Sequence, residues 1–153
     1  MDKRERWAER EVDAVSVNYF VLCDQVITEV GTSKQSLIGI YSALMSEQIP
    51  MAANIAVALG VRVQSSRPRE LTVRLAAPDG KLIFASPPLP CNWSSVEAGL
   101  QASGFATMQI GLNLRAVPFS LAGVYSAALY CDGDLLATYP LSVLPAEPGS
   151  SPA

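Results

Sequence analysis

Four groups of residues in this chain have the make-up of chemical sites. The first is Gly31-Thr32-Ser33-Lys34-Gln35-Ser36, a glycine, a lysine and three hydroxyls in quick succession. A phosphate-holding loop needs successive free N–H groups at a helix start, with a lysine beside them. Here the second glycine of that pattern is missing, and Leu37-Ile38-Gly39-Ile40-Tyr41 continues as a strand would. The stretch is expected to turn one strand into the next, with Lys34 in solvent.

The second group is the turn acids Asp79, Asp132 and Asp134. Calcium takes about six to eight oxygen ligands. Three acids without a bidentate glutamate fall short of that shell, and turns of an antiparallel sheet can lie at opposite ends. Ordinary hairpin chemistry is the expectation. The third group is the cysteines Cys23, Cys91 and Cys131, an odd number with wide spacing. That is neither a disulfide framework nor a zinc pattern, and it suits a reducing, cytoplasmic compartment. Cys23 lies among Phe20, Leu22 and Val26, and Cys131 ends an apolar run, so both read as small buried hydrophobes. Cys91, in a long loop, is the thiol expected at the surface. The chain has no histidine, the commonest general base and the usual partner of a nucleophilic cysteine. The expectation is therefore no enzyme, and no catalytic, cofactor-binding or metal-binding residues. The fourth group is Trp93 with Asn92 and Ser94. It is either an aromatic platform for sugar or protein, or a cover over the open edge of the core. Because large aromatics are mostly buried, the cover is favoured.

The elements that must carry these residues have period two. Ile55, Val57, Leu59, Val61 and Val63 alternate with Asn54, Ala56, Ala58, Gly60 and Arg62. Leu71, Val73 and Leu75 alternate with Glu70, Thr72 and Arg74, and Met108, Ile110, Leu112 and Leu114 with Thr107, Gln109, Gly111 and Asn113. Such alternation marks half-buried antiparallel strands. Pro78-Asp79-Gly80 and Asp132-Gly133 are hairpin signals. Pro140 removes a ladder donor, so its strand is an edge or has a bulge there. The prediction is an all-β, two-sheet antiparallel sandwich, immunoglobulin-like or C2-like, of about seven or eight strands. A single short helix is expected in the long connection, where Ser94 and Glu97 have capping-box spacing before Val96, Ala98, Leu100 and Ala102. The domain spans 17–144, between a charged arm at 1–16 and a disordered tail at 145–153. Val124-Tyr125 leads into the penultimate strand as a tyrosine corner does, with a structural role for the hydroxyl.

Two segments, 23–44 and 118–143, resemble the first and last hairpins of a family of small bacterial proteins known only as a domain of unknown function. The resemblance spans 18–143 and rests on Cys23-Asp24, on Gly31-Thr32 with Lys34, on Leu37-Ile38-Gly39 and on Gly123-Val124-Tyr125. It implies a single β-sandwich and carries over no activity.

Function is read by exclusion and by surface. Net charge is −3, and the basic clusters at 2–6 and 67–70 are interleaved with acids, so they read as solvated loops and nucleic acid is not an expected partner. The first fourteen residues carry charges where a signal peptide is apolar, and no apolar run is long enough for a bilayer. Half of the residues are hydrophobic, which calls for two filled layers or a surface hidden in an oligomer. In the strand from Tyr19 to Ile27, Tyr19, Val21, Cys23 and Ile27 point one way and Phe20, Leu22 and Val26 the other. Both sets need cover, and the small residues Ala56, Ala58 and Gly60 would let a second layer approach. The leading expectation is self-association, a two-fold dimer first, or binding to a protein partner, through Trp7, Tyr19, Val21, Ala56, Ala58, Gly60 and Trp93. The alternative is a small-ligand site for Ca²⁺ or carbohydrate at the turn acids or the Trp93 loop.

Overall fold

Alternating apolar and polar residues give this chain nine strands among the residues that the computed structural model describes, which are 15–91, 93 and 96–146. Trp7, most of the charged arm and the end of the tail lie outside them. The strands are β1 (Ser16–Thr28), β2 (Gln35–Ile40), β3 (Ala43–Ser46), β4 (Met51–Val63), β5 (Leu71–Ala76), β6 (Leu82–Ala85), β7 (Ala106–Phe119), β8 (Gly123–Cys131) and β9 (Asp134–Pro145). One helix, α1 (Val96–Ser103), precedes β7. No helix of the described residues is long and apolar enough to cross a membrane.

Two sheets face each other. Sheet A has four strands in the order β2-β1-β4-β7, and sheet B has five in the order β3-β9-β8-β5-β6. Phe20, Leu22, Ile55, Val57, Leu59 and Val61 from sheet A meet Leu71, Val73, Leu75, Tyr125, Leu129 and Leu141 from sheet B in one core. The all-β sandwich is therefore the fold, with an extra strand gained at each edge of sheet B. β6 continues the ladder of β5: Ser86 N–H donates to the Val73 carbonyl and Leu89 N–H to that of Leu71, each at 2.8 Å.

One run reads as a single strand and is two. Residues 36–44 break at Tyr41-Ser42, where the chain crosses from sheet A to sheet B. β3 then pairs with β9 in parallel, Leu44 opposite Val143, so the sandwich is not wholly antiparallel. Tyr139 fixes the crossing, because its hydroxyl donates to the Tyr41 carbonyl. Pro140 is tolerated because β3 reaches only as far as Ser142 along β9, and the missing donor falls where β9 has a free side.

The turns behave as their residues require. Asp132 and Gly133 have positive φ, 49° and 85°, as a two-residue turn of the I′ kind needs. Asp79 Oδ1 accepts from Lys81 N–H at 3.0 Å. Tyr125 makes the corner: its hydroxyl donates to the Leu121 carbonyl at 2.8 Å and accepts from Leu121 N–H at 3.2 Å.

Candidate interaction surfaces

Tyr19, Val21, Ala56, Ala58 and Gly60 do come together, but under cover supplied by their own chain. Ala56, Ala58 and Cys23 are fully buried, with Tyr19, Val21, Val26 and Leu37 packed on them. This second cluster lies on the outer side of sheet A, since Ala56, Ala58 and Gly60 alternate with core-facing Ile55, Val57, Leu59 and Val61. The cover is the far half of the β1–β2 hairpin. Thr28 pairs with Gln35. Nine residues of straight strand would carry Thr28 about 30 Å from Tyr19. The Tyr19 hydroxyl nevertheless donates to Gln35 Oε1. β1 must therefore curl back, laying 26–37 across β4 and onto β7. A Cβ at Gly111 of β7 would lie 3.0 Å from Val26 Cγ1 and 3.6 Å from Gln35 Nε2. A Cβ at Gly60 would overlap the Tyr19 ring at Cε1.

The curl changes which side chains face inward. Cys23 and Val26 contribute to the same cluster although period two places them on opposite faces. The switch coincides with Asp24 and Gly39, where Gly39 has φ 67° and a Cβ would overlap Asp24 Oδ2. Asp24 Oδ1 accepts the Tyr41 hydroxyl. Burial first, and then the Asp24 hydrogen bond and charge, push the Tyr41 phenol well above its usual range. The expected assignment of Val26 to the Phe20–Leu22 side is thus overturned, and the second layer that Ala56, Ala58 and Gly60 admit is supplied by the same chain.

The Gly31–Lys34 stretch is an exposed turn. Glu29 N–H donates to the Lys34 carbonyl at 2.8 Å, Thr32 Oγ1 accepts from Lys34 N–H at 3.3 Å, and a strand follows, not a helix. A family model matches residues 18–144 of the chain. The chain belongs to DUF6941, a family of unknown function. No curated protein matches it. Among solved structures it is similar to an immunoglobulin-like protein from Pseudomonas aeruginosa, at 12% identity and a TM-score of 0.43, over 86% of this chain and 98% of that one. In this DUF6941 chain the motif residues Cys23-Asp24 and Leu37-Ile38-Gly39 form the curl and its cover, and Tyr125 forms the corner.

The remaining candidates sit at the two ends of β5. Asp79 and Lys81 line a cleft of about 410 Å³ together with Leu82, Ile83, Leu121 and Tyr125. Asp132 and Asp134 line a separate hollow of about 300 Å³ with Arg67, Arg69 and Val15. The three turn acids therefore do not converge. Asp132 is engaged across the sheet, where its Oδ1 accepts from Glu70 N–H at 2.8 Å. Trp93 is half-buried beside Val63, Val96 and Ala106 and takes the Arg69 guanidinium over its ring at 5.6 Å, so it caps the core. Arg69 corrects the reading of 67–70 as a solvated loop: it is 6% exposed, and its Nη2 donates to Ser65 Oγ at 2.7 Å. Cys91 packs half-buried against the main core, and burial raises its thiol pKa, as it does for Cys23 and Cys131. In α1 the inward residues are Val96, Gly99 and Leu100, while Ala98 and Ala102 are exposed. Glu97 accepts from the Ser66 hydroxyl at 3.3 Å.

One surface was not singled out in the sequence. Each sheet ends in two edge strands: β2 and β7 in sheet A, β3 and β6 in sheet B. β3 and β6 have 4 residues each and β2 has 6, but β7 has 14. Short edges resist pairing by being short. Long ones are normally guarded by charge, proline or a bulge. In β7 those devices come late, at Arg115, at Ala116 with φ 52°, and at Pro118. From 106 to 114 there is no charge and no proline. The signal was available as an uncharged alternating run. What was missing was the knowledge that this run stands at an edge.

Proposed function

We propose that the protein is a non-enzymatic binding module that acts by associating with another protein chain along the free edge of sheet A. The observation that carries this is the unguarded stretch of β7. A free strand edge offers a row of N–H and C=O groups to an incoming strand, and alternate side chains supply specificity. The inner side chains of that stretch support the reading. Met108, Ile110 and Leu112 are only half-buried against the core, whereas their neighbours on β4, Val61, Leu59 and Val57, are 1% exposed or less. Among the described residues the core stays open along β7. The chain's lack of histidine and the raised thiol pKa values favour binding over catalysis. The free thiols suit a reducing, cytoplasmic setting.

A photo-reactive residue placed at exposed Asn113 tests the reading in cells that express the full chain. A discrete polypeptide adduct is expected there and not from the same residue at Thr138 on sheet B. Absence of any Asn113 adduct, or equal labelling at both positions, would sink the proposal.

A further inference from the structure

We infer that the strand received by β7 is β7 of a second copy, antiparallel about a two-fold axis at Ile110, and this rests on the association reading above. The pairing joins two copies of the four-stranded sheet A into one continuous sheet. Three observations lead to it. A two-fold axis sets every residue near it against the same short stretch of the partner, so like charges within that stretch would face one another, which is destabilising. Residues 106–114 carry none. Both faces of the strand are also self-complementary. Thr107 faces the partner's Asn113 and Gln109 the partner's Gly111 on the polar side. Met108 faces the partner's Leu112, and Ile110 faces its copy, on the core side. The half-buried apolar row of each chain thereby covers that of the other.

The register follows from what flanks the stretch. At one end α1 stops at Ser103, with Leu100 packed in the same cluster as Ala106 and Met108. At the other end β7 itself carries Arg115, Ala116 with φ 52°, and Pro118, which has no N–H to donate. Moving the axis toward either end runs the partner strand into one of these. Ile110 is the midpoint between them, and seven residues, 107–113, pair freely.

Sedimentation velocity on the purified full chain, from 1 to 100 µM, tests this. The wild type is expected to reach twice the 16.3 kDa chain mass. Thr107→Lys/Asn113→Lys sets lysine against lysine at both symmetric contacts and should weaken the dimer by at least about tenfold. Thr107→Asp/Asn113→Lys sets opposite charges against each other and should restore it. Melting curves confirm that both variants fold, since the two positions are exposed. A monomeric wild type at 100 µM overturns the self-pairing. A dimer indifferent to the double lysine places the interface elsewhere and overturns it too, and failure of the charge pair to restore assembly refutes the register. A monomeric wild type that still gives a specific Asn113 adduct in cells removes the second copy while leaving the association reading standing.

Discussion

β4 and β7 lie side by side in sheet A with nearly equal lengths, 13 and 14 residues, and similar alternation. Their fates differ. β4 is covered on both faces, by the core within and by the curled β1–β2 hairpin outside, and Ile55 to Val61 is buried without a break. β7 shares part of the same hairpin through Gly111, but one of its long sides has no paired strand among the described residues. Small outer residues on β4 let a second layer approach, and the chain provides that layer itself. Neutral polar residues on β7 neither call for cover nor repel it. Exposure of a surface and readiness to associate are thus different properties: the apolar outer patch is already occupied, and the open edge lies one strand away.

The comparison breaks most severely at Gly60. A Cβ there overlaps Tyr19, so Gly60→Val must push the tyrosine off β4 and lift the hairpin. Overpacking of this kind costs about 1–3 kcal/mol, and we expect the upper end, read as a shift in a urea unfolding midpoint. In a Tyr19→Ala background the same change should cost at least about 1 kcal/mol less, because the two side chains compete for one space. Additive effects would show that the hairpin does not depend on this contact.

Tyr125→Phe sharpens the contrast from the core side. It removes the donor to the Leu121 carbonyl and the acceptor of the Leu121 N–H. Loss of a typical internal hydrogen bond costs about 0.5–1.5 kcal/mol, and a little over 1 kcal/mol is expected here. A neutral substitution would mean that the corner is held by the packing of Tyr125 against Phe119 alone, their ring centroids being 5.0 Å apart.

The corner, the hairpin turns, the alternating strands and the short helix were all legible, because each is written in neighbouring residues. The crossing at Tyr41-Ser42 was not. Nothing local distinguishes a strand that stays in its sheet from one that changes sheets, and Tyr139, which fixes the crossing, is 98 residues away. The curl of β1 was half legible. The excess apolar content of 19–27 and the flat face at 56–60 announced a second layer, but not that the layer would come from the same chain. The reversal at Asp24-Gly39 also broke the alternation used to assign Val26. Arg69 misled because its burial depends on Trp93 and Ser65, which the charge pattern alone does not pair with it.

Alkaline titration weighs the hairpin root against the rest of the fold with no substitution at all. Tyr41, Tyr19 and Tyr139 have pKa values raised above the ordinary phenol value of 10.0, and Cys23 above 9.0, all chiefly by burial. A group that keeps its proton longer in the native state contributes stability that is whole below its unfolded pKa and is lost as pH rises toward its folded pKa. Melting temperature should therefore change little on account of these groups up to about pH 9 and fall beyond it, as the linkage requires. Tyr41→Phe should flatten the fall above pH 10. Parallel curves for variant and wild type would show that the Tyr41–Asp24 contact carries no such linkage.

The smallest effects belong to the hairpin tip, and they mark where the cover ends. Val26 and Leu37 lie over the small residues of β4, but Val30, four positions beyond Val26, is 98% exposed, and Lys34 is exposed with only its backbone engaged in the turn. Lys34→Ala and Val30→Ser should therefore each change stability by less than about 0.5 kcal/mol, as ordinary surface positions do. Chemical denaturation of the two variants measures this. A loss of 1 kcal/mol or more at Val30 would mean that the cover extends to the tip of the hairpin, or that the tip is held by another chain. Repeating the measurement at tenfold lower protein concentration separates these two outcomes, since only a contact between chains weakens on dilution.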